Sequence, residues 1–105
     1  MSFDKKNSFG NFFLTKHAIS KMNFYGLSEN RLKKVFRKPD RRQKGIASGT
    51  IALMQRVGGK RQTEIWLMYE EEKDGQKKII TAWRFPGISP AGEEIPIPKD
   101  ILSEL

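Results

Sequence analysis

Apolar positions along this chain change their spacing twice. Between Leu14 and Phe36 they recur every three or four residues, between Thr50 and Phe85 they alternate, and beyond Pro86 neither period persists. The first region predicts two helices. Thr15 has the chemistry of an N-cap, with Leu14 before it and Ile19 after it placed as a hydrophobic staple. That helix runs to about Phe24 and stops at Tyr25-Gly26. At about 100° per residue Ala18, Met22 and Tyr25 share a core-facing side, while His17, Lys21 and Phe24 share a flank. Ser28 repeats the device with Leu27 and Leu32. The second helix buries Leu32, Val35 and Phe36 and ends before Pro39. A short strand, Phe12 to Leu14, precedes the pair.

Alternation in the second region predicts three strands. Thr50 to Val57 sets Ile51, Leu53 and Val57 against Ala52, Met54 and Arg56. Glu64 to Glu71 is apolar on both faces, with Ile65, Leu67 and Tyr69 opposite Trp66 and Met68, so it belongs in the middle of a sheet. Lys78 to Phe85 alternates Ile79, Thr81, Trp83 and Phe85 with Ile80, Ala82 and Arg84. Gly58-Gly59-Lys60-Arg61 and Asp74-Gly75 supply the hairpin turns. The expected order is β-α-α-β-β-β, an α+β domain with two helices packed on one face of an antiparallel sheet. Residues 1–10 read as a flexible arm, 11–86 as the domain, and 87–105 as an extended tail that holds Pro90, Pro96 and Pro98 and ends in a short turn near Lys99 to Leu105.

Composition narrows the function classes. The 105 residues suit one domain with one core. Absence of cysteine excludes a disulfide framework, a thiolate metal site and a cysteine nucleophile. With a single histidine, no metal site is expected and no cofactor is implied. No apolar run is long enough for a membrane span and the first residues are not a signal peptide, so the expected compartment is the cytoplasm.

Charge changes the picture more. Of the net +8, residues 1–62 contribute fifteen Lys or Arg against three Asp or Glu, and residues 63–105 five against nine. Arg31, Lys33, Lys34, Arg37, Lys38, Arg41, Arg42 and Lys44 crowd into fourteen residues opposed only by Asp40, the second helix and a following loop. Such a run repels itself unless an anion or salt screens it, and it marks a surface for RNA or the ribosome. The plainer reading is a solvated helix face.

Four stretches then carry a resemblance. Thr15-Lys16-His17-Ala18-x-x-Lys21-Met22, the Gly26-Leu27-Ser28 break, the helix ending in Lys38-Pro39, and Ile79-Ile80-Thr81-Ala82-Trp83-Arg84 together resemble an uncharacterised domain family with a His-Ala-x-x-Arg-Met helix, grouped near the RelE and BrnT toxins. The likeness spans about residues 13–85. One departure is direct: Lys21 stands where the family has Arg, which keeps the charge and loses the bidentate fork.

The resemblance implies a RelE-like fold and a metal-independent ribonuclease. In that chemistry a 2′-hydroxyl attacks the neighbouring phosphorus, a base takes its proton, cations stabilise the added charge, and an acid protonates the leaving 5′-oxygen. His17 is the acid or base candidate, because an imidazole titrates near neutrality. Lys21 and Arg84 would stabilise charge, with Arg56 as a further cation; Arg56 and Arg84 each interrupt an apolar strand face. Thr81 and Tyr69 are candidates for relay, and Trp83 for base stacking. Against these stand a structural histidine, a strand-end arginine and core tryptophans. Two expectations remain: a toxin-like endoribonuclease, with a cognate antitoxin as partner, and a non-catalytic module binding RNA, the ribosome or an acidic protein. A third is that the acidic tail folds over the Arg31–Lys44 patch.

Overall fold

The computed structural model describes residues 8–9, 12–90 and 94–105. Its elements in chain order are β1 (Ser8–Phe9), β2 (Phe12–Leu14), α1 (Lys16–Tyr25), α2 (Glu29–Arg37), β3 (Arg41–Lys44), β4 (Thr50–Val57), β5 (Thr63–Glu71), β6 (Lys77–Pro86) and α3 (Lys99–Leu102). The α+β class is as expected. The strands lie in one sheet in the order β1-β2-β6-β5-β4-β3.

Local chemistry sets the helices. The Ala18 amide donates to Thr15 Oγ1 at 3.0 Å, and the Thr15 hydroxyl donates to the Ile79 carbonyl at 2.9 Å, so the cap also ties α1 to β6. Gly26 ends α1 in the left-handed region at φ 69°, and the Leu27 amide reaches back to the Met22 carbonyl, a geometry that favours glycine. Ser28 caps α2 through the Arg31 amide.

Three expectations are corrected. The sheet is mixed, because β2 pairs in parallel with the start of β6, Leu14 lying opposite Ile79. Three residues carry too little periodicity to fix a strand's direction. Arg41–Lys44, expected as loop, is an edge strand paired with Ile51–Met54. Its Arg-Arg-Gln-Lys sequence has no apolar residue, so alternation cannot reveal it; its main chain and the neighbouring strand hold it. A glycine closes its turn, since a Cβ at Gly45 would run into the Thr50 hydroxyl. The strict alternation of β6 also breaks. Met68 pairs with Thr81 but Tyr69 with Ile79, so Ile80 is an extra residue and Ile79 shares a face with Ala82. Of the expected arm, residues 1–7 and 10 lie outside the described residues; Ser8 and Phe9 form β1.

The sheet has a core on each face. On one, Ala18, Met22, Leu32 and Val35 of the helices meet Leu53, Ile65, Leu67, Tyr69, Ile79 and Ala82. On the other, Trp66 and Trp83 stack with centroids 5.8 Å apart, and Ile95 and Ile101 of the C-terminal segment pack over them with Met54 and Met68. The segment expected as an appended tail therefore covers the second sheet face. Trp83 Nε1 donates to the Pro96 carbonyl at 3.0 Å, which fixes the extended run between the strands and α3. Glu64, with no exposure, anchors its start: its carboxylate accepts from the Ser89 amide, the Ser89 hydroxyl and Trp66 Nε1 at 2.7–3.0 Å. A buried carboxylate is tolerable only with such a full set of donors.

Candidate nucleic-acid interface

The basic run divides between two faces of the molecule. Burial of Leu32 and Val35, with Phe36 stacked on Phe12 at 3.8 Å, leaves Lys34, Arg37 and Lys38 exposed at the end of α2. Cations there also suit the helix dipole. In β3, Arg42 and Lys44 lie opposite Leu53 and Ile51, whose side chains face the helices, so both cations project to the side that α2 occupies. Arg41 alternates to the other face. There it donates to Ser89 Oγ at 2.7 Å and to Gln43 Oε1 at 2.6 Å, and its guanidinium lies 5.1 Å from the Trp66 ring centroid. Arg31 and Lys33 are half-buried along α2.

Lys34, Arg37 and Lys38 line an open hollow of about 350 Å³ with Gln55. Gln55 Nε2 donates to the Lys34 and Lys38 carbonyls at 3.3 and 3.2 Å. Those carbonyls end a helix and would repel an anion, and the amide covers them. Asp40, the acid within the run, accepts the Arg56 amide at 2.7 Å, while its own amide donates to the Met54 carbonyl. It is spent on joining the α2–β3 turn to β4. Among the described residues no acidic partner is within salt-bridge distance of Lys34, Arg37, Lys38, Arg42 or Lys44, whereas Arg56, Lys77 and Lys78 each have one and Lys21 has two.

The four catalytic candidates are dispersed. His17 and Lys21 share one site beside the chain's end: Lys21 Nζ lies 3.1 Å from Asp100 and 3.0 Å from Glu104, and His17 Nδ1 lies 3.6 Å from Glu104. Tyr25, one turn further on, donates its hydroxyl to Asp100 at 2.8 Å. Hydrogen bonds donated to Glu104 and then to Asp100 hold the Lys21 ammonium pKa above its ordinary 10.5. Burial opposes the Asp100 charge, but the bonds from Tyr25 and Lys21 outweigh it and hold that carboxyl below 3.8. Burial first, then the bond to Asp100, pushes Tyr25 up to about 12. Arg84 is on the helix-side face, its Nε 3.4 Å from the Tyr25 carbonyl and its Nη1 3.5 Å from Thr63 Oγ1. That is the far end of α1, about 12 Å along the helix from His17 at 1.5 Å per residue. Arg56 is on the opposite sheet face, with Nε 3.8 Å from Glu64. Thr81, Tyr69 and Trp83 are buried, which removes relay and stacking roles that need contact with RNA.

The tail clasp of Asp100, Glu104 and Tyr25, and the Glu64–Ser89 anchor, are the functional neighbours that patterning missed. Asp100 and Glu104 stand four residues apart, a spacing that puts two carboxylates on one helical face, and this was the available signal. Among the described residues the tail does not cover the exposed cations of the run as expected: it meets Arg41, and it binds α1 and the tryptophan face. Among the described residues no group of three His, Asp or Glu could hold a metal, and no helix is long and apolar enough to cross a membrane. Comparison with protein-family models, with curated proteins and with solved structures found no match.

Proposed function

We propose that this protein binds RNA through the face formed by the end of α2 and by β3. One observation carries the reading: Lys34, Arg37, Lys38, Arg42 and Lys44 cluster on one side without a carboxylate partner among the described residues, whereas Lys21, Arg56, Lys77 and Lys78 are paired. Clustered unpaired cations gain most from a polyanion, through direct attraction and release of its counterions. The hollow lined by Lys34, Arg37 and Lys38 offers a seat for one phosphate, with Arg42 and Lys44 placed for others along the strand. Base edges are not needed for this attraction. The test is a gel-shift titration of labelled RNA with the parent and with Arg37→Glu/Lys38→Glu/Arg42→Glu. Loss of most affinity in a variant that still melts like the parent supports the face; unchanged affinity rejects it.

A second reading rests on the His17–Lys21 site. A RelE-like, metal-independent ribonuclease would use His17 as acid or base and Lys21 to stabilise phosphorane charge. The favouring observation is that the two side chains do share one site, and that His17 Nε2 is buried with no hydrogen-bond partner among the described residues. Asp100 and Glu104 occupy that site, so cleavage there requires the chain's end to move away. Labelled RNA incubated in EDTA with Asp100→Asn/Glu104→Gln, beside the same variant carrying His17→Ala, decides it. Cleavage that vanishes with His17→Ala supports the enzyme; intact RNA in both leaves the binding module.

A further inference from the structure

We infer that the α2–β3 face recognises the sugar-phosphate backbone of double-stranded RNA and not unpaired bases, an inference that rests on the RNA-binding reading above. Proteins that hold single strands combine a cationic track with exposed aromatic rings, because base stacking supplies about 1–3 kcal/mol per base. Among the described residues this face has the track without the rings. Trp66 and Trp83 are fully buried against each other, and Tyr69 is buried in the helix-side core. Phe36 is taken up by Phe12 and Tyr69. Among the described residues the large aromatic that stands out in solvent is Phe24, 72% exposed, but it belongs to α1, where it abuts Lys21 and Tyr25 beside the tail clasp. α1 packs chiefly on β6, and α2 on β4 and β5, so the helix that carries Phe24 lies over a strand three places from β3 in the sheet.

What the face presents is a set of point charges on elements that are themselves fixed. Gln55 holds the last turn of α2 to β4 through two carbonyls, and Asp40 holds the α2–β3 turn to β4 through the Arg56 amide. β3 is paired with β4 along its length, which sets the spacing of Arg42 and Lys44. A fixed array of cations suits a ligand whose phosphates are already fixed. A duplex meets that condition, whereas a single strand loses conformational freedom on binding and gains no stacking in return. Duplex RNA is read largely by shape and backbone, so little sequence preference follows. Counterion release gives a slope of about −0.9 per neutralised phosphate on a duplex, hence about −4.5 for the five exposed cations, a loss near 500-fold between 50 and 200 mM salt.

The test titrates the full chain against a labelled RNA duplex of about 20 base pairs, the size range of known duplex-RNA contacts. Beside it run each single strand, a duplex of unrelated sequence, and the DNA duplex of the same sequence. The expected result is an RNA duplex bound at least about tenfold more tightly than either strand, with the unrelated duplex within about twofold. Single strands bound as well as the duplex, or a marked sequence preference, would overturn the inference and leave RNA binding standing. A DNA duplex bound more tightly than the RNA duplex would overturn the assignment to RNA. No binding to any RNA at low salt would instead remove the reading on which the inference rests. Arg42→Gln/Lys44→Gln, exposed changes on the edge strand, should weaken duplex binding by about tenfold, and an unchanged affinity would place the contact elsewhere.

Discussion

Lys21 of α1 and the exposed cations of α2 and β3 end in opposite electrostatic states. Lys21 is held by Asp100 and Glu104, with Tyr25 completing the cluster. Lys34, Arg37, Lys38, Arg42 and Lys44 face solvent without a carboxylate partner among the described residues. Both groups lie on the helix side of the sheet. What separates them is the C-terminal segment, which packs on the tryptophan face and, through Asp100 and Glu104, reaches Lys21 and Tyr25 of α1. Lys21 is thereby made part of the architecture, and the α2–β3 cations are left for a ligand. Charge on a surface is informative only after the protein's own carboxylates have been assigned.

The largest expected effect breaks the comparison on its solvent-facing side. Reversing Arg37, Lys38 and Arg42 to Glu should lower RNA affinity by about 1,000-fold at moderate salt, since each change removes one phosphate contact and adds repulsion. Fluorescence anisotropy reads this directly. Lys21→Glu, by contrast, should leave affinity within about twofold and act on the fold, because its ammonium already has two carboxylate partners.

Next come changes to the segment that creates the difference. Ile101 is fully buried against the tryptophan face, so Ile101→Ala should cost about 2–4 kcal/mol in a urea melt. Glu64→Ala strands the Trp66 and Ser89 donors and should cost about 2–4 kcal/mol as well. If the tail were a loose appendage, both variants would melt with the parent.

A finer test uses pH. Asp100 is held below 3.8, so the stability it adds is present above that value and disappears as pH falls through its lower folded value. Lys21 is held above 10.5; its contribution is whole below 10.5 and fades as pH rises through the higher folded value. Tyr25, raised to about 12, loses its contribution between pH 10 and 12. In a Tyr69→Phe background, phenolate absorbance should therefore develop near pH 12, and adding Asp100→Asn should move it downward. A midpoint unaffected by Asp100→Asn would mean that the hydroxyl is not bound to that carboxylate.

Most of the helices and the central sheet can be read from the residues, because each has a local signal. Thr15, Gly26 and Ser28 cap as their side chains require, and the two apolar faces of β5 identify it as interior. β3 was hidden because an edge strand held by its main chain needs no apolar residue. The bulge at Ile80 was hidden because register between β5 and β6 is a property of the pair. The tail's role escaped for another reason: Ile95 and Ile101 sit among prolines with no period, and only the exposed tryptophan face of the bare sheet calls for them. At the candidate site, the eight cations were legible as a run, but strand alternation sent Arg41 to the opposite face. His17 and Lys21 were correctly paired by their i,i+4 spacing, while the placement of Arg56 and Arg84 on opposite faces followed from register alone.

The most direct test of the central claim is the slope of log affinity against log salt for one RNA duplex, measured for the parent, for Lys34→Gln/Arg37→Gln/Lys38→Gln and for Lys21→Gln. The α2 variant should flatten the slope by about 2.7, three contacts at about 0.9 each, and Lys21→Gln should leave it unchanged. A slope that survives the α2 changes, or falls with Lys21→Gln instead, would contradict the account.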